Sequence, residues 1–225
     1  MSANDYKIEL NMKTQALVNY LDELLQASQI KDFCPNGLQV QGEENISKII
    51  SGVTASQALI DRAIESNADA LLVHHGYFWK NEPAPLTGMK YQRIKALLDN
   101  NINLLAYHLP LDVHAELGYN AQLAKLLGIK MLGVLEEDKP YSVVANGQLE
   151  NSTTGDAFCQ LISERLSRQC LHIAPASNKV IKRVAWCTGG GQGYIELAAE
   201  KGVDAFITGE ASEQTTHIAH EMDIH

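Results

Sequence analysis

The chain has 225 residues, 45% apolar and 20% charged, enough for one sizeable core or two joined lobes, and the balance excludes disorder as the dominant state. A net charge of −9 opposes an extended phosphate backbone, which is held through counterion release at Lys and Arg clusters; no such cluster occurs, so bulk nucleic-acid binding is excluded. No apolar stretch approaches the roughly 20 residues of a bilayer-spanning helix, and residues 1–5 lack the basic and apolar regions of a leader, so no membrane partner is expected. Cys34, Cys159, Cys170 and Cys187 show no CxxC spacing and read as reduced thiols of a cytoplasmic protein.

In chain order, Leu17, Val18, Tyr20, Leu21, Leu24 and Leu25 recur at helical spacing and predict an amphipathic helix over 14–26, ending before Asp32. Asn36-Gly37 signals a turn into a short strand reaching Val40. Strands are predicted over 48–53, 70–73 and 102–107, and helices over 57–66, 90–100 and 120–127. This alternation predicts an α/β sheet with helices packed on it. The rhythm breaks over 131–181. There, strands over 131–135, 142–149 and 170–174 accompany a helix over 154–166 with Thr153 or Thr154 as N-cap, an α+β portion joining two halves. A strand over 182–186, a helix over 193–201, a strand over 203–207 and a helix over 212–222 complete the chain.

The last of these segments echo the first. Without gaps, Gln57 pairs with Gln192, Ile60 with Ile195, Ala63 with Ala198, Glu65 with Glu200, Asp69 with Asp204 and Ala70 with Ala205. Duplication is the simplest explanation; the alternative is two βαβ units sharing an ordinary pattern. The organisation read from this is a first α/β repeat over 1–128, a connecting portion over 129–180 and the start of a second repeat over 181–225, together one domain. In that register His74 and His75 face Gly209 and Glu210. The helix after Glu210 is followed only by Asp223, Ile224 and His225, so the natural fold is expected to continue with a second half-site.

Two strand ends carry the chemistry. His74 and His75 close an apolar run and precede Gly76; His108, with Asp112 after it, closes the next. A His pair where a strand gives way to loop can turn both rings to one rim. Imidazole with carboxylate suits zinc, iron(II) or manganese and fits calcium badly. The alternative is packed or capping histidines. Thr188, Gly189, Gly190 and Gly191, between a strand and a helix, offer backbone amides to a substrate phosphate or form a tight turn. His217 and His220 are a second candidate metal pair or a solvated helix face. Asn36-Gly37-Leu38-Gln39 by itself indicates a turn.

The segments Pro35-Asn36-Gly37-Leu38-Gln39-Val40, Gly52-Val53-Thr54-Ala55-Ser56, Val73-His74-His75-Gly76-Tyr77-Phe78-Trp79, His108-Leu109-Pro110-Leu111-Asp112, Gly118-Tyr119-Asn120, Ala185-Trp186-Cys187-Thr188-Gly189-Gly190-Gly191 and Ile207-Thr208-Gly209-Glu210 together resemble the Nif-three-like family of GTP cyclohydrolase 1 type 2 homologues. The resemblance runs from about Gln15 to the last residue. It implies a duplicated α/β fold with mixed sheets, two divalent metal ions (zinc, iron or manganese) and a toroidal homohexamer built as a trimer of dimers. On the matching positions His74 binds one metal and His75 and Asp112 the other, while His108 serves as a further ligand, an outer partner or an acid/base. The family also draws a His and a bridging Glu from a Gly-His-His-x-x-x-Glu-like segment, which does not occur here. The implied activity is metal-dependent hydrolysis of a nucleotide or related cyclic amide, with formate released from a purine ring. A non-enzymatic metal-binding or partner-binding hexameric scaffold uses the same ligands.

Overall fold

A computed structural model describes residues 12–177 and 179–225; the leader reading of residues 1–5 lies outside them. The chain divides into two compact units, the first ending at Leu111 and the second running from Asp112 to His225.

In the first unit β1 (Met12–Lys13) leads into helix α1 (Thr14–Leu24). Strands β2 (Gly37–Val40), β3 (Asn45–Ile46) and β4 (Ile49–Thr54) follow, then α2 (Gln57–Glu65), β5 (Ala70–His75), α3 (Gly88–Asp99) and β6 (Asn103–Ala106). The sheet has the order β2-β6-β5-β4, with β4, β5 and β6 parallel and β2 antiparallel at the edge beside β6. β1 and β3 form a separate two-stranded ribbon. β5 reads as a continuous apolar run because both of its faces are covered. Leu71 and Val73 pack with Ile60 of α2 and Leu97 of α3, while Ala70 packs with Leu17, Val18 and Leu21 of α1.

Helix α4 (Leu109–Val113) spans the junction between the units. The second unit then runs α5 (Tyr119–Leu127), β7 (Lys130–Val134), β8 (Ala145–Thr153), α6 (Gly155–Leu166), β9 (Ile181–Cys187), α7 (Ile195–Glu200), β10 (Ala205–Thr208) and α8 (Glu213–Glu221). Its sheet has the order β10-β9-β8-β7, with β9 and β10 parallel and the other pairs antiparallel. The strands of the connecting portion thus share one sheet with those of the second repeat. Thr154 caps α6 by accepting a hydrogen bond from the Ala157 amide. The strand expected over 170–174 does not form. Ser167 ends α6 in the left-handed conformation, and the Cys170 amide donates to the Ser163 hydroxyl rather than to a neighbouring strand. The helix expected from Gly193 opens as a 3-10 turn, Gln192–Tyr194.

The repeat holds down to single hydrogen bonds. Asp69 Oδ2 accepts the Ser47 and Lys48 amides at 2.8 Å each, and its counterpart Asp204 Oδ2 accepts those of Lys182 and Arg183 at 2.9 and 2.7 Å. The Ala68 amide donates to Ala63 O as the Val203 amide donates to Ala198 O. Asn103 N bonds Asp69 O at 2.9 Å just as His225 N bonds Asp204 O at 3.0 Å. Each aspartate therefore ties the turn after a helix to the start of the preceding parallel strand by accepting from two successive amides. Asp69→Ala and Asp204→Ala are each expected to lose about 1–3 kcal/mol of stability through the loss of two hydrogen bonds to a carboxylate. Urea unfolding checks this, and midpoints unchanged in both variants would contradict it.

Candidate metal centre

β5 and β6 run parallel and in register, Val73 opposite Ala106, so their carboxyl ends emerge side by side. The chain continues this pairing one step further, with the Tyr107 amide donating to Val73 O at 3.0 Å. The residues that follow, His74 and His75 on one strand and His108 after the other, therefore meet at the carboxyl edge of the sheet, where α/β proteins place their ligands. The ring centroids of His74 and His75 are 4.4 Å apart, and His108 lies 5.0 Å from His74 and 5.7 Å from His75. One potential ligand atom from each of the three lies within 4.8 Å of the others.

Hydrogen bonds fix these rings. His74 Nδ1 donates to Tyr107 O at 3.1 Å. A carbonyl can only accept, so this ring carries its proton on Nδ1 and its lone pair on Nε2. His75 Nδ1 meets Thr54 Oγ1 at 3.3 Å, Thr54 being its partner across β4 and β5. Burial, then the neighbouring His75, pushes His74 down to about 4, and burial followed by His108 lowers His75. Both imidazoles are neutral at pH 7, the state in which a histidine ligates a metal.

His108 is held from the loop before β2. Asp32 Oδ1 accepts from His108 Nδ1 at 2.7 Å, and Asp32 Oδ2 accepts the Leu109 amide at 2.8 Å and Asn36 Nδ2 at 3.0 Å. Asn36 Oδ1 in turn accepts the His108 amide at 2.8 Å. The Asn36-Gly37 turn signal thus marked an anchor of the histidine as well as a turn. Burial opposes ionisation of Asp32, but the bonds from His108, Asn36 and the Phe33 amide outweigh it and hold the carboxyl below its ordinary value. Asp32, Cys34 and His108 also lie close together. Burial, reinforced by the Asp32 charge, pushes the Cys34 thiol up to about 12.

The loop after β5 walls the cluster. Trp79 meets His108 edge-on at 4.9 Å and donates from Nε1 to Gly76 O at 3.2 Å. Phe78 adopts a left-handed φ of 64°, with the Lys90 ammonium 4.8 Å above its ring. Gln39 bridges back to this loop, accepting the Tyr77 amide at 2.7 Å and donating to Tyr77 O at 3.1 Å. Asp32, Thr54, Tyr107 O and Trp79 were assigned no role at the site from sequence, although Thr54 and Trp79 lie in the segments that carry the family resemblance. A carboxylate four residues before Asn36 was the available signal for the first.

In the second unit the buried Asp112 accepts a hydrogen bond from Thr188 Oγ1 at 3.3 Å, and the Thr188 amide donates to Asn120 Oδ1 at 3.2 Å. Two sequence-chosen residues, Asp112 and Thr188, are thereby brought together. The glycines after Thr188 have packing reasons of their own. Gly189 has φ +75°, a Cβ on Gly191 would lie 2.3 Å from Cys187 Sγ, and the Gly209 amide donates to Gly189 O at 3.0 Å. His217 and His220 are exposed on α8, with His217 Nε2 3.7 Å from Glu213 Oε1. Neither belongs to a three-residue ligand cluster among the described residues.

Two duplicated βαβ units in mixed sheets, with an imidazole cluster at the strand ends of one, define the class of protein. The family model for Duf34/NIF3 (NGG1p interacting factor 3) matches residues 12–225, and the chain belongs to that family. A Vibrio cholerae protein named GTP cyclohydrolase 1 type 2 homolog is 56% identical over 216 residues, spanning 96% of this chain and 84% of its own length. The solved structure of protein ybgI, described as of unknown function, has a TM-score of 0.88 at 51% identity, covering 95% of this chain and 84% of that one. TTHA1606 from Thermus thermophilus gives 0.81 at 30% identity with the same coverage.

Gly76 lets the loop turn directly behind the His pair, since a Cβ there would lie 2.2 Å from Gln39 Oε1 and 2.6 Å from the Ala106 side chain. Gly76→Ala is expected to cost about 1–3 kcal/mol through this overpacking. Urea unfolding would show it, and a variant as stable as the parent would contradict the packing described.

Proposed function

We propose that the protein is a dinuclear-metal hydrolase acting on a nucleotide or a related cyclic amide. The observation that carries this reading is the convergence of three imidazoles, two of them neutral through burial, at adjacent ends of parallel strands. That donor set fits a borderline divalent ion, zinc, iron(II) or manganese, better than calcium. On the family resemblance His74 would hold one ion through nitrogen and His75 and Asp112 the other, with His108 as a further ligand, an outer partner or an acid/base. Two ions are proposed on the strength of the family resemblance. Bound there, divalent cations would supply Lewis acidity toward water and toward a developing oxyanion.

The remaining work belongs to the chain's own residues. The Tyr107 carbonyl and Thr54 hydroxyl orient His74 and His75, the Thr188 hydroxyl orients the Asp112 carboxylate, and Trp79 shields His108 from bulk water. Thr188, Gly189, Gly190 and Gly191 are the candidate contact for a substrate phosphate. Contact there would come from backbone amides, since α7 behind the loop has six residues. The names of the relatives suggest a purine ring as substrate: a first water adds to the carbon between the two imidazole nitrogens and opens the ring to a formamide, a second water hydrolyses that formamide, and formate leaves with both ring nitrogens protonated as amines. A homohexamer in the cytoplasm completes the proposal, and light scattering at six protomer masses would support it where a monomer mass would reject it.

Titration with zinc, manganese and iron(II) under chelator competition tests the metal reading. His74→Ala and His75→Ala are expected to weaken binding by more than about 100-fold, beyond the roughly 10- to 100-fold typical of losing an outer partner. Parent-like affinity in both variants would reject it. Incubation of the metal-loaded protein with GTP should yield formate above a His74→Ala control; metal binding without formate would instead favour the non-enzymatic scaffold.

A further inference from the structure

The histidine cluster contains one ring whose orientation is set by a charged group rather than by the sheet. His108 lies beyond the end of β6, so no strand pairing holds its side chain. Two residues from the loop before β2 hold it instead: Asn36 on its amide and Asp32 on its ring, at 2.8 and 2.7 Å. The Asp32 side chain is itself 3% exposed and engaged by four donors, His108 Nδ1, the Leu109 amide, the Phe33 amide and Asn36 Nδ2. Such a carboxylate can only accept, so the imidazole facing it must present Nδ1–H, which leaves the ring's lone pair on Nε2.

We propose that Asp32 is the positioning residue of the candidate metal centre: it locks His108 in the Nδ1–H form and so commits Nε2 to the cluster with His74 and His75. The inference rests on the metal reading above and adds to it the residue that orients the third imidazole toward the other two. A carboxylate acceptor of this kind selects the tautomer, fixes the ring plane and raises the basicity of the imidazole's other nitrogen. His108 Nδ1, the ring atom that meets Asp32, is thereby already committed to the carboxylate.

The test is the tautomer of His108 in the metal-free 225-residue chain, read by long-range proton–nitrogen NMR on histidine-labelled protein well above the ordinary imidazole range, with His108→Ala giving the assignment. The parent and Asp32→Glu should show Nδ1–H. Asp32→Asn keeps the shape but can turn an amide donor to Nδ1, and should move His108 to the Nε2–H form, as asparagine in place of the triad aspartate does to a protease histidine. An Nε2–H ring in the parent, or an unchanged tautomer in Asp32→Asn, overturns the proposal, and the parent spectrum alone decides if the variant does not fold. Zinc affinity under chelator competition is the second readout. Asp32→Asn should bind about 10- to 100-fold more weakly, with Asp32→Glu closer to the parent. Parent-like affinity in Asp32→Asn alongside a loss in His74→Ala overturns the role of Asp32 and leaves the metal reading standing. Parent-like affinity in both removes the metal reading itself.

Discussion

The parallel, in-register pairing of β5 with β6 is the constraint on which the candidate centre depends. It sets Val73 opposite Ala106 and brings the chain on past both, so that His74, His75 and His108 leave the sheet at one edge. Strand periodicity makes such registers unforgiving, because a slip of one residue sends every side chain to the opposite face. Here the register is held from both sides of the sheet. Leu71, Val73 and Leu104 pack in one core, and Ala70, Leu105 and Tyr107 in the other. Tyr107 also couples packing to the site, since its buried ring donates to Asp22 at 2.8 Å while its carbonyl orients His74.

The duplication separates scaffold from chemistry. Asp69 and Asp204 make the same pair of amide contacts in the two copies, and the helices between the strands bury matching residues, Ile60 and Ile195, Ala63 and Ala198. Where the first copy carries His74 and His75, the second carries Gly209 and Glu210. The repeated unit thus supplies a strand edge, and the residues at that edge decide what it can hold. In the second unit the Gly209 amide bonds Gly189 O at that edge, and the Thr188 hydroxyl bonds Asp112.

Much of the fold was legible because periodicity and burial agree. The apolar run at Ala70 and the helical spacing of Leu17, Val18 and Leu21 report directly on a sheet covered on both faces. The segment at Cys170 misled because its composition resembles a strand, while its amide is taken by the Ser163 side chain, a contact that no local pattern announces. At the site, His74, His75 and His108 stood out as polar residues closing apolar runs. Asp32 did not, since its bonds to His108 and Leu109 cross more than seventy residues of sequence. The glycines after Thr188 show a different ambiguity: a ligand cradle and a crowded turn call for the same residue, and Gly191 meets Cys187 at a distance only glycine tolerates.

The central claim is that the imidazoles gathered at these neighbouring strand ends bind divalent metal. Anomalous diffraction from crystals grown with zinc or manganese tests it most directly. The account predicts anomalous density within coordination distance of His74 and of His75, with the density at His74 lost in His74→Ala. Crystals of the intact chain with no peak between these rings, or with the metal only at sites remote from them, would contradict it.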